Sequence, residues 1–305
     1  MKFKPDLQGV RGLTLGAAAT LVIMLVVLHF HTGRMPSEQL ALQARASALA
    51  AHMQTGLAAA SEAEKSAVLA ITDADSQLFA DQARVATAEV KRESGELAAL
   101  LKTAGDQPAQ EALAQFADTF AEFQRVDQEV LALAVQNTNL KAYDLAFGPA
   151  TAALRDMDAA LARLAGDDAQ TLRLADSARI AAWRLLTLLP PHIAEESDAK
   201  MNVLEAQMAA EDEIVRQSLA ALAALPPRAG NVELKTAAES YARFGATRAH
   251  ILKLSRANTN VRSLSLSLNQ KRKVMLLCQS ALSAVQQAIQ AEPITGITYG
   301  NVKPR

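Results

Sequence analysis

Two copies of Asn-Thr-Asn, Asn137-Thr138-Asn139 and Asn258-Thr259-Asn260, are each followed by a cation, Lys141 and Arg262. These are the residue types in this chain best suited to holding a ligand. Amides both donate and accept, and a guanidinium presents a planar fork that grips a carboxylate at two points. If both copies sit at one level of a helical bundle, Asn137, Lys141, Asn258 and Arg262 form a pocket for a small carboxylate. A plainer role fits the same residues: a buried Asn in a helical seam fixes register and pairing at some loss of stability. Lys141 and Arg262 then pair with acids or extend outward along their apolar stems. Counting from the expected hairpin tips puts Gln77 and the stretch Asp198 to Lys200 at this level, with Asp73, Asp75, Glu195 and Glu196 about a turn away.

Other chemistry lacks its residues. His29, His31, His52, His192 and His250 are scattered, and none follows a Glu by three positions as a carboxylate-bridged di-iron bundle requires. There is no Cys-x-x-Cys-His for covalent haem, no Gly-rich phosphate loop and no nucleophile elbow. No Ser/His/Asp arrangement stands out in the sequence. The expectation is therefore a protein that is not an enzyme and has no metal and no cofactor. Cys278 is the single cysteine, so it forms no intrachain disulfide and reads as a small buried hydrophobe. The charge runs Glu62-Ala63-Glu64-Lys65, Glu211-Asp212-Glu213 and Lys271-Arg272-Lys273 read as solvent-facing. A net charge of −1 gives no attraction to nucleic acid.

The two Asn-Thr-Asn motifs belong to a longer repeat. Phe120 to Tyr143 aligns without a gap on Tyr241 to Leu264: Phe120 with Tyr241, Phe123 with Phe244, Val130 with Ile251, Leu133 with Leu254 and Lys141 with Arg262. Apolar spacing in both copies is helical, so one helical unit is used twice. The chain is 50% apolar but only 4% aromatic, the profile of closely packed Ala/Leu helices and not of sheets. The class is all-α. Helices are expected over about 38–101, 109–164, from about 169 to 225 with an interruption at Pro190-Pro191, and 232–290. Turns fall at Gly105-Asp106-Gln107-Pro108, Gly166-Asp167-Asp168 and Pro226 to Asn231. The helical hairpins 37–165 and 166–290 then build an elongated antiparallel four-helix bundle, followed by an extended tail over 291–305. Breaks near Thr72–Ser76 and Pro190-Pro191 would instead give two stacked bundles.

Residues 13–30, LTLGAAATLVIMLVVLHF, carry no charge, and eighteen helical residues span roughly 27 Å, enough for a thin hydrocarbon core. Lys2, Lys4 and Arg11 precede them, so residues 1–12 are expected in the cytoplasm and the bulk of the chain in the periplasm, on a single inner-membrane pass. A cleaved signal peptide is the rival reading; the run is long for one, and no small-x-small site follows it. Gly12, Gly16 and Thr20 make a small-xxx-small stripe on which two anchors can pack.

The segment Leu252 to Leu266 (LKLSRANTNVRSLSL), with Lys271-Arg272-Lys273 after it, resembles the four-helix-bundle sensor module of methyl-accepting chemotaxis proteins. The anchor-then-bundle layout over residues 13–290 agrees with it. The resemblance implies a periplasmic bundle that binds small ligands or binding proteins, often as a homodimer. It departs from that family in lacking a second membrane helix, a HAMP linker and a signalling hairpin. The expected function is thus a membrane-anchored sensor or ligand-binding protein, without its own output domain, acting through a partner membrane protein. The alternative is a structural or accessory subunit docked on an inner-membrane complex.

Overall fold

A computed structural model describes residues 36–165, 168–226 and 230–292. The expected cytoplasmic stretch 1–12, the membrane helix 13–30 and the tail beyond Glu292 lie outside these residues. Among the described residues no helix is long and apolar enough to cross a membrane, and there is no strand. The all-α expectation holds.

The helices are α1 (Pro36–Leu69), α2 (Asp73–Ala104), α3 (Gln107–Ala134), α4 (Thr138–Leu145), α5 (Thr151–Ala165), α6 (Ala169–Thr187), α7 (Leu189–Ala194), α8 (Asp198–Ala224), α9 (Val232–Ala257), α10 (Thr259–Leu266) and α11 (Arg272–Ala291). A π-helical turn, Ala146–Ala150, joins α4 to α5, and a second, Ser267–Lys271, joins α10 to α11. Their boundaries follow from local chemistry. Thr72 starts α2 by accepting the Asp75 N–H (3.0 Å) while its hydroxyl donates to the Asp75 carboxylate (2.7 Å). Gly105, at φ 79°, closes α2, and Asp106 opens α3 by accepting the Ala109 N–H at 2.9 Å. Asp168, Ser197 and Asn231 cap α6, α8 and α9 in the same way.

The chain divides into two compact units. The first holds the described residues up to Gln54, with Lys91–Ala117 and the stretch from Ser280; the second holds Thr55–Val90 and Asp118–Gln279. In the first unit the start of α1, the end of α2 and the end of α11 meet around a small cavity lined by Gln39, Leu42, Leu101, Asp106 and Ile289. Met53, Leu97, Leu101, Phe116 and Leu282 fill its core.

In the second unit, α3 through α5 and α9 through α11 run as two antiparallel rods. Glu122 meets Gln270, Asn139 meets Asn260, Asp156 meets Arg243 and Arg163 meets Glu233, one number falling as the other rises. Beside one stretch of the rods packs the turn end of the α1–α2 hairpin; beside the other pack α6 and α8.

Of the two arrangements left open by the sequence, the uninterrupted helix over 38–101 is corrected, and the chain breaks close to Thr72, where the other arrangement put a break. The chain reverses at 70–72, and His52 of α1 lies 3.6 Å from Glu93 of α2. It reverses again at 195–197, so that Ser177 of α6 faces Ser218 of α8. The hairpins are α1–α2 and α6–α8, not 37–165 and 166–290. Thr72 and Ser197 each cap the helix that follows the reversal.

The duplication reaches beyond its legible core. Leu57, Ala60, Ser61, Glu64 and Val68 of α1 are buried, and so are the residues 121 positions later, Ala178, Ala181, Ala182, Leu185 and Leu189. Both π-helical turns obey the same offset. Pro149 cannot donate a backbone hydrogen bond and accounts for the first; the second forms without a proline.

Candidate functional site

Where the two rods cross, the Asn-Thr-Asn motifs meet face to face in the second unit. Asn137 and Asn258 both adopt the left-handed conformation, at φ 51° and 53°, which Asn tolerates better than most residues. Each helix is thereby interrupted for one residue, freeing backbone N–H groups at the start of the next. The opposite motif takes them up. Asn139 N–H donates to Asn260 Oδ1 (3.1 Å) and Asn260 N–H to Asn139 Oδ1 (3.2 Å). Thr138 and Thr259 make the corresponding exchange through their hydroxyls. The side-chain amides complete the layer: Asn260 donates to Asn137 (2.9 Å) and Asn139 to Asn258 (2.7 Å). Asn137 also donates to Asp73 and Ser76, and Asn258 to the Glu195 carbonyl at 2.8 Å.

The structure thus brings Asn137 and Asn258 together at a buried level, with their amide groups engaged inside the chain. Lys141 is exposed and pairs with Asp73 at 3.0 Å. Hydrogen bonds from Asn137 and Lys141 hold the Asp73 carboxyl below its ordinary pKa. Arg262 is exposed, and its backbone N–H closes the first turn of α10 onto Asn258.

A second polar cluster, with no sign of it in the sequence, lies in one half of the unit. Glu64, Asp212 and Lys271 belong to the runs expected on solvent faces, yet all three are buried. The Lys271 ammonium sits against Asp127 and 3.7 Å above the ring of Phe123. Both oxygens of Glu64 are buried with no hydrogen-bond partner, Ser267 lying close without reaching hydrogen-bond geometry. Burial pushes the Glu64 carboxyl above its ordinary pKa, against the pull of Lys271 and Ser267. Burial likewise pushes Lys271 down, opposed by Asp127 and Glu64, and pushes the Cys278 thiol up. A groove of about 610 Å³ between α1 and residues 267–279 is lined by Glu64, Lys271, Leu69, Leu268, Met275 and Leu276 among others.

The matching half is built differently. Phe244 stands where Phe123 does, and Arg248 where Asp127 does, with its guanidinium 5.8 Å from the Phe244 ring. Asp212 receives Arg248 (2.9 Å), Arg216 (2.5 Å) and the Tyr241 hydroxyl. Burial and Asp212 together raise the Tyr241 pKa, so the phenol stays protonated. The counterparts of Glu64 and Lys271 are Leu185 and Ala150, both fully buried.

His192 makes a third network that its isolation in sequence concealed. Its Nδ1 lies 2.8 Å from Ser255 Oγ and its Nε2 2.9 Å from Glu205 Oε1. Hydroxyl, imidazole and carboxylate stand in the order of a hydrolase triad. However, Ser255 is fully buried and its hydroxyl donates to the His192 carbonyl at 2.9 Å, while Arg256 clamps Glu205 at 2.8 Å. Arg256 and His192 hold the Glu205 carboxyl below its ordinary pKa. The arrangement ties α7, α8 and α9 together and gives a substrate no path to Ser255.

No family model matches the chain, and no curated protein or solved structure is similar enough to it to match. Fold and site together define a helical-bundle protein with a duplicated core, a satisfied polar crossing layer and a buried carboxyl without a hydrogen-bond partner beneath a groove.

Proposed function

We propose that this chain is a membrane-anchored periplasmic sensor or ligand-binding bundle, held by residues 13–30 and acting through a partner. The observation carrying this reading is the asymmetry of the duplication. One half closes its buried acid with the chain's own arginines; the other leaves Glu64 without a partner beneath an open groove. Small carboxylates at Asn137, Lys141, Asn258 and Arg262 stay within the reading. At that level the exposed Lys141 and Arg262 would make first contact, since the amides already serve the fold.

The test is thermal melting of the full chain in mild detergent against small carboxylates, amines, amino acids and aromatic acids. A ligand at a hundredfold over its Kd adds about 2.7 kcal/mol. A shift lost in Arg262→Ala assigns the ligand to the crossing layer; one lost in Glu64→Gln assigns it to the groove.

The accessory-subunit reading draws on a different observation. Leu69, Ile71, Leu78 and Val85, around the α1–α2 turn, are 68%, 80%, 53% and 70% exposed, an apolar surface suited to docking on a membrane complex. A flat ligand panel, together with a stoichiometric partner cross-linked from position 85, would favour it.

A further inference from the structure

A buried ion gives up its hydration and needs a partner to offset the loss, so a position that holds one needs a reason. The fold does not supply it here: the counterparts of Glu64 and Lys271 are Leu185 and Ala150, packed without exposure at the same places in the duplicate. Nor do the charges balance. Two carboxylates, Glu64 and Asp127, face one ammonium, and Lys271 gives its contact to Asp127 while resting on Phe123. In the duplicate, two guanidinium groups converge on the single carboxylate of Asp212. With Glu64 ionised, that half therefore lacks one positive charge.

The groove supplies the other half of the argument. Its apolar walls include Leu69, Leu268 and Leu276, each more than half exposed. Asp127 from one rod and Lys271 from the other face Glu64, Lys65 neighbours it on α1, and Glu62 and Arg272 stand on the rim. A carboxylate entering here meets the Glu64 carboxyl head-on, and a neutral molecule leaves the missing charge unsupplied.

We propose that this groove binds an organic ammonium ion with an apolar stem, its –NH3⁺ on Glu64 and its stem along Leu69, Leu268 and Leu276. The proposal rests on the ligand-binding reading above and names the class of ligand. Glu64 is fully buried in the free chain, so entry requires side chains that line the groove to move aside. The free chain holds the Glu64 proton to higher pH than an exposed glutamate does. Binding is then an exchange in which the carboxyl gives its proton to solvent and the resulting carboxylate pairs with the incoming ammonium. Affinity strengthens as pH rises through the Glu64 pKa and levels off above it.

The test is isothermal titration of the full chain in mild detergent with n-hexylamine, with hexan-1-ol and hexanoate as controls and detergent-only blanks. Two buffers of different ionisation enthalpy report the proton. The expected result is one saturable hexylamine site with proton release, and binding at least tenfold weaker for both controls. Glu64→Gln should weaken hexylamine at least tenfold and leave hexan-1-ol unchanged. Glu64→Leu, which installs the residue the duplicate packs at this place, should do the same and guards against a misfolded first variant. Unchanged hexylamine affinity in either folded variant, or tighter binding of hexanoate than of hexylamine, overturns the proposal. Amine binding that leaves partner cross-links unaltered upholds the site and counts against signalling. A melting shift in the panel from another ligand class, without amine binding, upholds the sensor and overturns the amine.

Discussion

Thr138 and Thr259 exchange hydrogen bonds: the N–H of Thr138 donates to Thr259 Oγ1 at 3.2 Å, and the N–H of Thr259 to Thr138 Oγ1 at 3.0 Å. Each hydroxyl replaces the carbonyl that the interrupted helix no longer offers. Either Thr→Val substitution keeps the shape and strands a buried N–H, at about 1–3 kcal/mol. The double variant should lose less than the sum of the two singles, because the two hydroxyls also bond each other at 3.2 Å. Urea unfolding of the four-member cycle checks this; simple additivity would mean that the two sites act independently.

At Asn137 the backbone and the amide can be tested apart. Asn137→Gly keeps the left-handed conformation and loses the hydrogen bonds to Asp73, Ser76 and Asn260. Asn137→Ala loses both, and should be less stable than the glycine variant by about 1–2 kcal/mol. Equal stabilities would show that the conformation itself has little energetic weight.

Glu64 sets a pH dependence of definite sign. The fold raises its pKa above 4.5, the ordinary value that the unfolded chain retains. The folded chain therefore binds this proton more tightly, and stability falls as pH rises from the unfolded pKa through the folded one. Glu64→Gln removes that fall. It should melt above the parent near neutral pH and match it at acid pH. A lower melting temperature at neutral pH would mean that the carboxylate is ionised and paired.

Two glycines within helices should respond oppositely to alanine. A Cβ at Gly56 would lie 2.8 Å from Val90 Cγ2, so Gly56→Ala should cost about 1–3 kcal/mol through overpacking. Gly95 has nothing within 4 Å of that position, and Gly95→Ala should add about 0.5–1 kcal/mol by lowering the entropy of the unfolded helix. Melting curves of the two variants decide both signs.

The His192 network should behave as a lock. Ser255→Ala leaves the imidazole Nδ1 buried without a partner and should cost about 1–3 kcal/mol. Glu205 has a depressed pKa, so its stabilising effect is present above the ordinary value of 4.5 and fades as pH falls through the folded pKa. Glu205→Gln should therefore melt below the parent near neutral pH and converge with it in acid.

That the two Asn-Thr-Asn motifs share one level was legible because the repeat is gapless and helical spacing fixes which residues share a face. The reversal at 70–72 was harder to read, since Ala70-Ile71-Thr72 has no Gly or Pro and its signal is one Thr cap. Glu64 and Lys271 were hidden by their neighbours: in a charge run every member looks solvated, and only the helix phase decides which one turns inward. His192, Ser255 and Glu205 come together from α7, α9 and α8, so no linear spacing could have joined them.

Because each bond between the two Asn-Thr-Asn motifs is made twice with the roles exchanged, the two copies meet as the subunits of a twofold dimer do. Each rod leaves its own hairpin at Asn137 or Asn258 to complete the helical group of the other copy. A chain of half this length would satisfy the same layer only by pairing with a second molecule. Fusing the copies removes that dependence on concentration and frees each to change alone. One could then gather arginines on Asp212 while the other kept a carboxylate unanswered.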